Sequence, residues 1–189
     1  MAKPNYYVLQ RANDDRYPLF ESDDPNRRPL FRAQWVTLPA PLVIRLGAPV
    51  PDDPVLVDYH SMPQHVFSRR LADAILALEP ENVQLIPAML HFRDKTYEYA
   101  QLHAAVAVSG VLDMNRSRFS PSGSILKSIS LHYDRIAELP EKQRLLIALK
   151  EEARKFIFHE DVKRAIEATG GVGFRFIHVD DWTDGSSFK

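Results

Sequence analysis

Between Val83 and Phe119 the apolar residues fall into two long extended runs around a short polar break. In the first run Val83, Leu85 and Met89 point one way and Ile86, Leu90 and Phe92 the other. Both faces are apolar, which predicts a strand covered on both sides. In the second run Leu102, Ala104, Val106 and Val108 alternate with Tyr97, Tyr99, Gln101 and His103. That is the period of two a pleated strand imposes, and Tyr, Thr and Val fit such a surface. Arg93-Asp94-Lys95 between the runs reads as a three-residue hairpin turn. This hairpin is the expected centre of the sheet.

The flanking pattern supplies the other elements. Tyr6 to Leu9 predicts an edge or opening strand. From Gln10 to Gln34 Asp, Arg, Asn and Pro crowd together, and these favour turns over regular elements. Phe20, Leu30, Phe31 and Trp35 are spaced through and just beyond this stretch and require cover, so it reads as an ordered, irregular segment laid on the domain. Leu42 to Leu46 and Val55 to Tyr59 predict strands, with Pro49, Pro51 and Pro54 between them excluding a central ladder. Phe67, Leu71, Ala74, Ile75 and Leu78 recur at helical spacing, predicting a helix over Gln64 to Leu78 with Ser61 ahead of it as a cap. Ile125 to Ile136 alternates as an outer strand, with Ile125, Ile129, Leu131 and Tyr133 inward and Ser128, Ser130, His132 and Asp134 outward. Leu139 to Lys150 fits a helix after Pro140 or a short strand. Phe156 to Phe158 predicts a strand, Asp161 to Thr169 a helix stopped by Gly170-Gly171, and Val172 to Val179 a last strand.

These elements make an α+β fold: a central antiparallel or mixed sheet with two or three helices packed on it. The chain of 189 residues is read as a single domain, with residues 1–40 an irregular N-terminal segment, 42–182 the α+β core and 183–189 a flexible tail. With no cysteine, disulfides, thiolate metal sites and cysteine nucleophiles are excluded. Lys plus Arg is 24 against 25 for Asp plus Glu, which gives no electrostatic reason to expect nucleic acid. No stretch approaches the roughly 18 uninterrupted apolar residues of a membrane span. The first residues lack the apolar run of a signal peptide, so the expected location is cytoplasmic.

Candidate chemistry is thin. His178 and Asp180 share a strand face and Asp181 is adjacent, a cluster that a small metal-dependent hydrolase could use. A metal site wants three or four convergent ligands and only two can be named, so a solvated strand end is the better reading. His60 and His65 are five apart, a poor spacing for a helical metal pair. His159-Glu160-Asp161 complements a helix start. Gly170-Gly171-Val172-Gly173 follows a helix and precedes a strand, the reverse of a dinucleotide loop. No catalytic residue, cofactor or metal is therefore expected. Of the two tryptophans, Trp182 beside two acids is the one expected to be exposed.

Three groups of residues carry a family resemblance over about Val83 to Trp182. They are the hairpin ending in Val111-Leu112-Asp113 followed by Ser117, the strand Phe156-Ile157-Phe158-His159-Glu160 leading into a helix, and the close Gly173-Phe174-Arg175-Phe176. In this order and spacing they resemble the immunity protein family numbered eleven among those of bacterial polymorphic toxin systems, formerly a domain of unknown function. The resemblance implies a non-enzymatic protein that binds and neutralises a cognate toxin encoded by an adjacent gene and delivered by a contact-dependent or type VI-type route. It supplies no contact residues. From the sequence alone, the residues nominated for toxin contact are Arg27, Arg28, Trp35, His132, Asp134, Asp180, Asp181 and Trp182, being charged or aromatic groups on the irregular segment, the outward side of Ile125 to Ile136, and the last turn.

Overall fold

The computed structural model describes residues 4–123, 125–152 and 155–188. In chain order the elements are β1 (Tyr6–Arg11), β2 (Phe20–Glu21), a 3₁₀ turn (Pro25–Phe31), β3 (Leu42–Leu46), β4 (Tyr59–His60), β5 (Val66–Ser68) and α1 (Arg69–Leu76). The long hairpin is β6 (Val83–Phe92) and β7 (Lys95–Ala104), continued by β8 (Ala107–Val108). Then come β9 (Arg118–Phe119), β10 (Leu126–Ser128), α2 (Tyr133–Ala137), α3 (Glu141–Arg144), β11 (Leu146–Leu149), β12 (Phe156–His159), α4 (Glu160–Ala168), β13 (Phe174–His178) and a 3₁₀ turn (Asp184–Phe188).

Two sheets result. One runs β2-β3-β6-β7-β5-β4, the other β13-β1-β12-β11-β8, and β9 pairs with β10 alone. Both large sheets are mixed, since β3 runs parallel to β6 and β8 parallel to β11. This is the α+β class the residue pattern predicts. Because β8 follows β7 after two residues, one continuous stretch of chain belongs to both sheets.

Alternation sorts the side chains into three apolar clusters. Leu102 and Ala104 of β7, with Val83 and Leu85 of β6, face a shared core with Leu71 and Ile75 of α1, Val162 and Ile166 of α4, and Phe156 and Phe158 of β12. Here α1 lies on β5 and β7, α4 on β1 and β12, and the two helices meet. On the other face of the second sheet Tyr6, Val8, Ile147 and Ile157 pack with Leu131, Ile136 and Trp182. On the other face of the first sheet Ile86, Ala88, Leu90 and Tyr99 pack with Phe20, Leu42 and Ile44. That face is covered by the irregular N-terminal segment through Leu30, Val36 and Leu38.

Several expectations are corrected here, each for a physical reason. The turn has two residues, not three: Phe92 pairs with Lys95, and Arg93 and Asp94 have φ of 49° and 58°. Two successive positive φ values match the right-handed twist of the flanking strands. β6 is covered on both faces only at its start, since Pro87 and His91 are exposed. β1 is no edge strand; it lies between β12 and β13. The predicted helix over Gln64 to Leu78 is helical only from Arg69. Val66 and Phe67 instead pair with Gln101 and Ala100, because the exposed edge of β7 needs hydrogen-bond partners that a helix could not supply. Ser61 is not its cap; Ser68 precedes the first turn and turns its hydroxyl to Asp58.

Ile125 to Ile136 is strand only over Leu126–Ser128, then α2. A register shift in the β9–β10 pair points Leu126 inward, 3% exposed, and leaves Ile125 50% exposed. Leu139 to Lys150 holds both alternatives in turn, α3 and then β11. The C-terminal helix is capped by His159, whose Nδ1 accepts from the Asp161 N–H, and not by Asp161. The tail folds back as well: Thr183 bridges to Ser128, and Lys127 pairs with Asp184.

Candidate functional site

The irregular segment is fastened to the first sheet at both ends. Near its start the Ser22 hydroxyl donates to Val43 O at 2.6 Å, and the Val43 N–H donates to Asp24 Oδ2 at 3.0 Å. These two side chains occupy the outer edge of β3, which would otherwise offer unpaired backbone groups to another chain. Asp24 Oδ1 also accepts from the Asn26 N–H at 2.9 Å, capping the 3₁₀ turn, and Pro25 suits its first position. The hydrogen bonds from Val43 and Asn26 hold the Asp24 carboxyl below the usual range.

The other end is pinned by one cross-strand pair. Gln84 of β6 and His103 of β7 stand opposite each other on the face turned toward the segment. His103 Nε2 donates to Gln34 O at 2.8 Å. Gln84 Nε2 donates to Val36 O and its Oε1 accepts from the Val36 N–H, both at 2.9 Å. The side-chain amide thus acts as a short piece of strand. Trp35 sits between two residues that are both held, and its ring is left outside, 62% exposed. Phe31 at the end of the 3₁₀ turn is 68% exposed. Arg28 and Arg32 flank these rings, exposed, and among the described residues neither guanidinium makes an ion pair.

Beneath the segment lie two cavities. One, of about 280 Å³, is lined by Leu30, Phe31, Arg32, Gln64, Gln101 and His103 among others. The second, of about 310 Å³, shares Leu30, Phe31, Gln64 and Gln101 and adds Arg27, Met62 and Pro63. Gln101, 2% exposed, is common to both, and its Oε1 has no hydrogen-bond partner.

Of the residues nominated from sequence, Arg27, Arg28 and Trp35 belong to this segment. Arg27 is half-buried, its guanidinium donating to Ser22 O at 2.6 Å, and burial lowers its pKa. The others lie elsewhere. His132 and Asp134 are exposed at the start of α2, with His132 Nε2 at 3.7 Å from Asp113 Oδ1. Asp180 and Asp181 are exposed in the turn after β13. Their neighbours Leu131, Val179 and Trp182 belong to the cluster on the far face of the second sheet, so the two groups are not brought together. Trp182 is the clear correction. It is 2% exposed, packed in that cluster with the Lys155 ammonium 4.2 Å above its ring. The exposed tryptophan is Trp35, because the main chain on either side of it is bonded to the sheet while Trp182 follows the last strand into the core.

His178 Nδ1 accepts from the Asp180 N–H at 3.3 Å and lies 3.8 Å from its carboxylate. No group of three His, Cys, Asp or Glu able to hold a metal occurs among the described residues. No helix among them is long and apolar enough to cross a membrane. Sequence reasoning missed Phe31 and Arg32 as surface groups and Gln84, Gln101 and His103 as their supports. Gln101 and His103 left a signal, two polar residues in the second run of the hairpin.

The pinning makes a prediction. Gln84→Leu removes both bonds to Val36, each worth about 1 kcal/mol net. The expected result is faster amide exchange at Val36 with little change in the exchange of β7. Equal protection of Val36 in variant and parent would show that the amide clamp does not hold the segment. No family model and no curated protein matches this chain.

Proposed function

We propose that this chain is an immunity protein, a stoichiometric inhibitor that binds a cognate bacterial toxin domain encoded by an adjacent gene and acts in the cytoplasm. The observation that carries the reading is the fastened segment. The Trp35 ring is held outside the fold by bonds to the residues on either side of it, with the exposed Phe31 ring nearby in the same segment, so little conformational freedom is lost at Trp35 when a partner covers it. Tyr, Trp and Arg anchors of this kind dominate tight interfaces, and about 800 Å² per partner is the usual extent. The resemblance carried by Val111 to Asp113, Phe156 to Glu160 and Gly173 to Phe176 supports the same reading. Neutralisation would work by occlusion of the toxin's active site or of the route its substrate takes.

The test is co-expression with the adjacent gene product in a sensitive host. Growth is expected to be restored and the two chains to co-purify in equal amounts. Trp35→Ala with Phe31→Ala is expected to lower affinity at least 100-fold, since hot-spot truncations cost about 2 kcal/mol or more each. Continued toxicity with no co-purification overturns the proposal.

A further inference from the structure

We infer that the segment from Arg28 to Trp35 docks an acidic loop of the partner protein, with one Asp or Glu side chain entering the cavity beside Arg32. This rests on the immunity reading and specifies the chemistry of its partner.

Two observations converge on that cavity. First, its lining residues include Arg32, Gln64, Gln101 and His103 and no Asp or Glu. The neighbouring cavity, by contrast, is lined by Glu21 and Asp23 as well as Arg27. Those two acids are already engaged by Arg45, at 2.9 Å and 2.7 Å. A carboxylate is therefore favoured on the Arg32 side and opposed on the other. Second, Arg28 and Arg32 have no ion-pair partner among the described residues, whereas Arg16, Arg45, Arg69 and Arg70 each have one within the chain.

The carboxylate of one acidic residue meets the Arg32 guanidinium, a planar fork suited to that group. The apolar rim, Phe31 and Leu30, takes the methylene part of the side chain and the chain around it. Arg28, outside the cavity, steers approach, so association is faster at low salt. His103 keeps Nε2–H on Gln34 O, and burial holds its pKa down and disfavours a positive charge there, so the attraction for the carboxylate comes from Arg32.

The experiment is calorimetric titration of the adjacent gene's toxin domain, in catalytically inactive form, into the parent chain and into Arg32→Glu, Arg28→Glu and Asp134→Lys. Arg32→Glu is expected to weaken binding about 100-fold and Arg28→Glu about tenfold, with weaker parent binding at 500 mM than at 50 mM salt. Asp134→Lys, on the far layer, is expected to bind as the parent does. Thermal melts of the same samples check that these exposed substitutions leave the fold intact. Parent-like affinity of Arg32→Glu, or loss confined to Asp134→Lys, overturns the inference and leaves the immunity reading standing. No binding by the parent overturns both. A mixed-sequence single-stranded 20-mer, tested alongside, is expected not to bind; binding lost in Arg28→Glu and Arg32→Glu would reassign the surface to nucleic acid.

Discussion

Gly173→Ala is expected to destabilise the protein by about 3–5 kcal/mol, a large part of the roughly 5–15 kcal/mol that holds a domain together. Two separate costs add. Gly173 has φ of 95°, where a side chain costs about 1–3 kcal/mol. A Cβ there would also stand 2.4 Å from Val57 Cγ2 and 2.6 Å from Val57 Cβ, with Tyr59 O at 3.2 Å. Neither Val57 nor the backbone behind it is free to retreat. The Asp58 N–H donates to Val172 O at 3.1 Å, and Asp58 Oδ2 accepts from the Val172 N–H at 2.9 Å. Overpacking of this kind costs about 1–3 kcal/mol more. Gly170→Ala separates the terms. Its φ of 67° is also positive, but nothing lies within 4 Å of the added carbon, so about 1 kcal/mol is expected. Urea denaturation of both variants decides the matter. Equal losses at the two glycines would show that the close crossing at Val57 relaxes at no cost.

Acid should weaken the fold well before carboxylates titrate. His60 is 0% exposed, stacked on Phe20 at 3.7 Å, with its Nδ1–H on Pro18 O at 2.9 Å. Burial pushes its pKa down to about 4. His65 is pushed down to about 3, first by burial and then by the Lys155 charge. Its Nδ1 lies 2.7 Å from the Tyr59 hydroxyl, and it would lose that donated hydrogen bond if protonated there. The sign follows from which state takes up protons. Below the ordinary value near 6.5 the unfolded chain binds them at both imidazoles while the folded chain does not. The stability these histidines contribute is therefore full above pH 6.5 and lost as pH falls toward 4. For His60 alone the loss is about 3 kcal/mol once both values are passed. Denaturation midpoints measured from pH 7.5 to 4.5 are expected to fall steadily, and His60→Gln to flatten the slope. A midpoint unchanged over that span would mean that neither imidazole is held neutral by the fold.

The elements legible in the sequence were those in which local pattern and tertiary need agree. Leu42–Leu46 and the hairpin runs alternate cleanly, and each finds a sheet on which that alternation can be used. The helix stopped by Gly170 has an apolar stripe and a stop residue with φ of 67°. Where the two conflicted, long-range pairing won. Val66 and Phe67 fit a helical stripe, yet they complete the edge of β7. Ile125 fits an inward alternation, yet the register shift beside it turns Leu126 in instead. The candidate site was half legible. Arg27, Arg28 and Trp35 stood out as charged and aromatic residues on an irregular segment, while Trp182 was misjudged.

By itself the sequence determined the α+β class, the longer strands β1, β3, β6, β7, β12 and β13, the C-terminal helix and the absence of cysteine chemistry, because each depends on residues within a few positions of one another; the expected strand Val55 to Tyr59 is strand only from Tyr59. Tertiary structure alone decided which rings stay outside. Gln84 and His103 grip main-chain groups at Gln34 and Val36 from roughly 50 to 70 positions away, and no local period can encode a contact over that separation.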